Sequence, residues 1–284
     1  MGYSQQERIA LCALLDKTGP DAPTLCAGWS TGDLAAHLVI REHRLDAAAG
    51  VLGGPLAGHA ARVQRRLRER TPFGDLVATL RSGPPRFSPF SLPGMDERLN
   101  GVEYFVHHED VRRAAPGWEP RELPAGEADA LWRQLRGSRR MLRRLPVGIE
   151  LARDDTSNGN LRLTAKNATP AVTVIGPPAE LTMWAFGRTS AASVRFDGTQ
   201  SAVARLSGSH WGPGAPSLPA RMGIRSAAAH AAGTPAALRK HAFPADRTSR
   251  YGRRPHGCGN QPVIGGWLPQ PSVQIRVSNG PFRA

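Results

Sequence analysis

From Ser4 to about Leu145 the apolar positions return every three or four residues, the period of helices with one buried face. "SQQERIALCALLDKTGPDAP" puts Ile9, Leu11, Cys12, Leu14 and Leu15 on a broad stripe that Gly19 and Pro20 end. In "WSTGDLAAHLVIREHRLDAAAG", Ser30 with Asp33 three residues later approximates a capping box, and Leu34, Leu38 and Leu45 share a face. "LAGHAARVQRRLRER" predicts a basic helix that ends before Pro72. "TPFGDLVATLRSG" predicts a short helix with Thr71 as cap and Pro72 in its first position. "PRFSPFSLPG" reads as a connector. "MDERLNGVEYFVHHEDVRRAAPG" is helical up to Pro116, and "PAGEADALWRQLRGSRRMLRRL" is one last amphipathic helix.

At about Pro146 the period drops to two. "VGIELARDD", "NLRLTAK" and "AVTVIG" alternate as half-buried antiparallel strands do, with "TSNGN" as the first turn. "PPAELTMWAFGR" predicts a short helix, "AASVRFDG" a fourth strand and "TQSAVARL" a closing helix. The expected fold class is therefore a helical domain over residues 1–145 followed by a small α+β domain over 146–206. About 60 residues make a poor independent core, so the second unit should pack on the first. Residues 207–284 hold 11 Gly, 10 Pro and ten Arg or Lys against one acid, the composition of a disordered basic tail. Within it "PSVQIRV" could form one strand, with no evident partner.

The formal charge of +14 changes this picture little, because the tail carries most of it. Residues 1–206 hold 27 basic and 22 acidic side chains. The stretch "RVQRRLRER", with Arg65, Arg66, Arg68 and Arg70, has no aromatic stacking platform or DNA-reading motif beside it, which disfavours a nucleic-acid partner. No apolar run reaches the length of a membrane span, and the N-terminus, with Glu7 and Asp16, is a poor signal peptide. A cytoplasmic protein is expected. Cys12, Cys26 and Cys258 match no zinc ribbon or redox spacing, and they read as inert thiols.

Candidate chemistry centres on "VEYFVHHED". Glu103 and His107 are four residues apart, so on a helix they project within about 40° of each other. His108 lies about 100° round from His107 and cannot readily share that point. Val102, Phe105, Val106 and Val111 border the pair, so it should lie partly inside the helical core. A buried carboxylate and imidazole need partners, and a divalent cation satisfies both. His37, mid-helix among Leu34, Ala35, Ala36, Leu38 and Val39, is the best third ligand. His43 reads as solvent-facing among charges, and His59 follows a Gly-rich loop. Two His and one Glu form a zinc set that leaves room for water. The competing reading is an exposed Glu–His pair and a core histidine.

"PTLCAGWSTGDLAAHLVIRE" followed by "EYFVHHEDVRRA" resembles the N-terminal domain of the mycothiol-dependent maleylpyruvate isomerase superfamily, within the DinB-like group of four-helix-bundle metalloenzymes. "GPDAPTLCAGW", "RSGPPRFSPF", "VHHEDVRRAAPGWEPREL" and "VTVIGPPAELTMWAFGR" are similar to an actinobacterial metal-binding subfamily of it. The resemblance covers residues 4–206 and places the metal ligands on His37, Glu103 and His107. It implies a sterol-carrier-like second domain, a divalent metal cofactor and mycothiol as a thiol cosubstrate. The reaction class it implies is thiol-dependent isomerisation or transfer on a small molecule; the alternative is a non-catalytic protein whose ion is structural or sensory. Asp110 or Asp33 would orient a ligand imidazole through its other nitrogen, and Arg112 and Arg113 would steer an anionic substrate or serve as surface charges.

Overall fold

The opening of the second helix forms as its capping pattern predicts. The Ser30 hydroxyl accepts from the Asp33 backbone N–H, and the Asp33 carboxylate accepts from the Ser30 N–H at 3.0 Å. The computed structural model describes residues 2–44, 55–85, 94–155, 161–209, Trp211 and 275–277. Leu45, most of the connector "PRFSPFSLPG", the turn "TSNGN" and nearly all of the expected tail lie outside these residues.

Helices α1 (Tyr3–Thr18), α2 (Thr31–His43), α3 (Ala57–Arg70), α4 (Phe73–Ser82), α5 (Met95–Arg112), α6 (Ala125–Gln134) and the short α7 (Arg139–Leu142) come first. Gly19 caps α1, as expected. Pro72 is the N-cap of α4 rather than its first residue, and Thr71 instead closes α3. Helix α5 stops at Arg112, short of Pro116. The last amphipathic stretch is not one helix, because a 3-10 turn at Leu135–Ser138 separates α6 from α7. Gly137 within it favours such a break. Leu11 and Leu15 of α1, Leu34 and Leu38 of α2, Leu76 and Leu80 of α4, and Tyr104 of α5 pool into one core. Each such buried side chain contributes about 1.5–3 kcal/mol.

The second region holds strands β1 (Gly148–Arg153), β2 (Arg162–Lys166), β3 (Ala171–Gly176) and β4 (Arg195–Gly198), with helices α8 (Pro178–Ala185) and α9 (Gln200–Ser207). Strand β5 (Ile275–Val277) completes a sheet of order β2-β1-β3-β4-β5. The expectation of antiparallel pairing holds for β1–β2 and β3–β4 only. Strands β1 and β3 run parallel, with Ile149 beside Val172 and Leu151 beside Val174. The chain reaches this arrangement by passing residues 167–170 over the start of β1. A Cβ on Gly148 would lie 2.0 Å from the Ala168 carbonyl oxygen, so only glycine fits there. Flanked on both sides, β1 is almost wholly buried, which its sequence only partly betrays. The "IRV" stretch of "PSVQIRV" does find a partner: β5 pairs parallel with β4, Phe196 beside Ile275.

The core under the sheet crosses the boundary near Pro146. Val102, Phe105 and Val106 of α5 and Leu131 and Leu135 pack with Leu151, Val174, Leu181 and Trp184. Helix α5 thus presents one face to the helical core and another to the sheet region. That position brings its polar residues within reach of both.

Candidate metal centre

Helices α2 and α5 bring His37, Glu103 and His107 together. Each offers a ligand atom, and these atoms lie within 4.8 Å of one another. The His107 Nε2 to Glu103 Oε2 distance is 3.4 Å, against about 3.3 Å for two ligands of one tetrahedral zinc. The His37 and His107 rings meet edge to face with centroids 5.3 Å apart, and the Trp29 ring packs on His37 at 4.9 Å. His37 and His107 are buried; Glu103 is partly open.

Glu103 divides its two oxygens. Oε2 faces His107, and Oε1 faces the Arg41 guanidinium at 3.7 Å. Burial pushes the carboxyl up, but the hydrogen bond to His107 and the Arg41 charge outweigh it and hold the group at about 2. Burial, followed by the neighbouring charge of His107, pushes His37 down to about 3, so its imidazole is neutral and able to ligate. Burial opposes a charge on His107 as well. Hydrogen bonds to Asp110, Cys26 and Glu103 win, and they raise its pKa well above the usual value. A proton on Nε2 of His107 and a metal ion would compete for one lone pair.

Of the two expected orienting carboxylates, only Asp110 touches a ligand. Its Oδ2 lies 2.9 Å from His107 Nδ1, which leaves Nε2 directed at Glu103. Asp33 is committed to the helix cap instead.

Asp110 is held in turn by Arg188, which no sequence motif marks, and by Cys26, expected as an inert thiol. Arg188 donates from Nε to Oδ1 at 2.8 Å and from a terminal nitrogen to Oδ2 at 2.6 Å. Cys26 Sγ lies 3.2 Å from Oδ2 and 3.3 Å from the same Arg188 nitrogen. Cys26 reaches this place because its loop docks on α5. The Leu25 N–H donates to the Asp110 carbonyl at 3.0 Å, and the Thr24 hydroxyl ties the loop to the Trp29 carbonyl. Arg188 reaches it because Gly187, at φ 86°, ends α8 and turns the chain back. The expectation of an inert thiol holds for Cys12, which burial pushes up to about 11, but not for the setting of Cys26. Cys258 lies outside the described residues.

The remaining candidates take structural parts. His108 points away from the centre and pairs with Glu7 at 2.7 Å. Arg113 is buried rather than at the surface, and Arg112 is partly exposed. Both bind Glu109, and Arg113 also grips Glu180 of α8 at 2.6 and 2.9 Å. His43 is half-buried rather than solvent-facing, and burial lowers its pKa. His59 on α3 joins neither donor group. A cleft of about 620 Å³ lined by Gly2, Tyr3, Glu97, Ala130, Arg133 and Gln134 shares no residue with the centre. No described helix is long and apolar enough to cross a membrane.

No family model matches the chain, and no curated protein matches it. Two solved structures are similar to it. The mycothiol-dependent maleylpyruvate isomerase is 15% identical with a TM-score of 0.42, over 68% of this chain and 90% of that one. A histidine-to-alanine variant of that isomerase is 14% identical with a TM-score of 0.43, over the same shares.

Proposed function

We propose that this chain binds one divalent cation through His37, Glu103 and His107, and that it uses the ion to handle a small-molecule thiol. The observation that carries the proposal is the convergence of two imidazoles and one carboxylate from two helices, with the outer nitrogen of His107 already held by a carboxylate. Two nitrogens and one oxygen suit zinc, and three protein ligands leave coordination open. When bound, the ion supplies a Lewis-acid centre that favours the thiolate form of a coordinated thiol. The chain's own residues do the rest. Asp110 fixes the ring of His107, Arg41 braces the outer oxygen of Glu103, and Trp29 covers one side of His37.

Isomerisation or transfer with a mycothiol-type cosubstrate follows from the motif resemblance in "PTLCAGWSTGDLAAHLVIRE" and "EYFVHHEDVRRA". A non-catalytic ion is the second reading, and the burial of both histidines favours it. Elemental analysis of purified protein beside a His37→Ala/His107→Ala double variant tests the binding. We expect about one equivalent of metal in the parent and background in the variant. Equal content would refute the ligand set. Thiol-transfer assays on the metal-loaded protein then separate the catalytic from the structural reading.

A further inference from the structure

His107 belongs to two donor groups. Its Nε2 side faces Glu103 and His37, while its Nδ1 side faces Asp110 and Cys26. The second group, Cys26, His107 and Asp110, is buried, and its ligand atoms also lie within 4.8 Å of one another. By residue type it is the stronger transition-metal set, because it offers a soft sulfur as well as nitrogen and oxygen. The two groups differ in what stands between the donors. In the second, one terminal nitrogen of Arg188 lies 2.6 Å from Asp110 Oδ2 and 3.3 Å from Cys26 Sγ, where an ion bridging the two would sit. The guanidinium is itself buried, and its other nitrogens are used on Asp110 Oδ1 and the Phe186 carbonyl. In the first group the Arg41 guanidinium meets Glu103 at Oε1, not at the Oε2 that faces His107.

We propose that Arg188 is the built-in cation of a second, latent metal site, and that by occupying it the side chain directs a divalent ion to the Nε2 face of His107. The inference takes the His37, Glu103 and His107 site from the proposed function and adds a positioning residue 78 positions along the chain from Asp110, beyond the boundary near Pro146. With the guanidinium gone, a soft divalent ion can enter between the Cys26 sulfur, the Asp110 carboxylate and the His107 imidazole, displacing the thiol proton as it binds. With the guanidinium present, its positive charge repels a second cation from the point between Asp110 and Cys26.

Cobalt(II) titration of the full chain, read in the near ultraviolet where thiolate-to-cobalt charge transfer absorbs, tests this. The parent should bind cobalt with no thiolate band. Arg188→Met should gain the band, Arg188→Met/Cys26→Ser should lose it, and Arg188→Lys, which keeps a cation, should stay dark. A thiolate band in the parent, or cobalt bound by Arg188→Met without one, would overturn the proposal. If Arg188→Met does not fold, Cys26→Ser alone decides: cobalt affinity within threefold of the parent supports the proposal, and a tenfold loss refutes it. The ligand reading fails separately, through unchanged cobalt content in His37→Ala. In that case the band in an Arg188→Met/His37→Ala background still tests the role of Arg188.

Discussion

Helices α2 and α5 bury two polar clusters side by side, and the two are solved differently. One turn or so from His37 and Glu103, Glu42 and Asn100 face each other. Glu42 Oε1 accepts from Arg8 at 2.7 Å, from Asn100 at 2.8 Å and from Tyr104 at 2.6 Å. Arg8 also binds Asp96 at 2.9 Å and lies 4.7 Å over the Tyr104 ring. That cluster has its own cation and its own donors. At His37, Glu103 and His107 two imidazoles and a carboxylate converge, and the Arg41 guanidinium meets Glu103 at 3.7 Å, on the oxygen that does not face His107. A buried carboxylate supplied with an internal guanidinium has little use for a metal, whereas one supplied with imidazoles is built to share an ion. Chemistry on this helix pair is therefore marked less by buried charge than by which cation the sequence provides.

The comparison breaks most visibly at Arg8. Arg8→Ala leaves Glu42 buried without its charge partner and should cost about 3–5 kcal/mol in urea unfolding, with zinc stoichiometry unchanged. A second bound ion in that variant would mean that Glu42 and Asp96 are latent ligands too, and the two clusters would no longer differ in kind. Next in size is the response to metal. Zinc at about 100 times its dissociation constant should stabilise the parent by about 2.7 kcal/mol and the His37→Ala/His107→Ala variant hardly at all. Parallel thermal scans with and without zinc check this.

The half of this contrast at His37, Glu103 and His107 was legible in the sequence as geometry, because spacing on a helix is local. The five-residue span of Glu103 and His107, the 100° offset of His108 and the apolar flanks of His37 all carried over. What failed depended on distant partners. Glu42 reads as surface in "REHR", yet it is only 1% exposed, because Arg8 on α1 folds over it. Arg113 reads as a helix-end charge, yet Glu180 on α8 buries it. Cys26 and Arg188 carry no spacing signal, because 162 residues separate them. The parallel β1–β3 pairing was hidden for the same reason: alternation reports which face is buried but not the direction of the neighbour.

A third buried cluster sharpens the comparison through pH. Glu7, between His108 and Arg121, falls to about 2, since these partners outweigh the effect of burial. Glu127, in the first turn of α6, is pushed up to about 7 by burial and then by the charge of Glu7, with Arg121 opposing and Glu97 adding to the rise. The unfolded Glu127 titrates near 4.5. Between there and about 7 the folded chain holds a proton that the unfolded chain has released, so stability falls as pH rises through that window. Glu127→Gln removes the slope. It should match the parent near pH 5 and exceed it by about 2 kcal/mol at pH 8, in denaturant titrations at both values. Parallel pH profiles of the two proteins would show that Glu127 is satisfied by its partners after all.

The smallest effect separates the two aspartates first weighed as orienting groups. Asp110 touches His107, so Asp110→Asn should lower metal affinity about 10–100-fold. Asp33 only completes the Ser30 cap, one turn before His37. Asp33→Ala should cost about 1 kcal/mol of stability and leave metal affinity within about twofold, because losing a cap frays the first turn without moving a residue in the second. Competition titrations against a zinc chelator measure both variants on one scale. A tenfold loss in Asp33→Ala would mean that the start of α2 sets the position of His37.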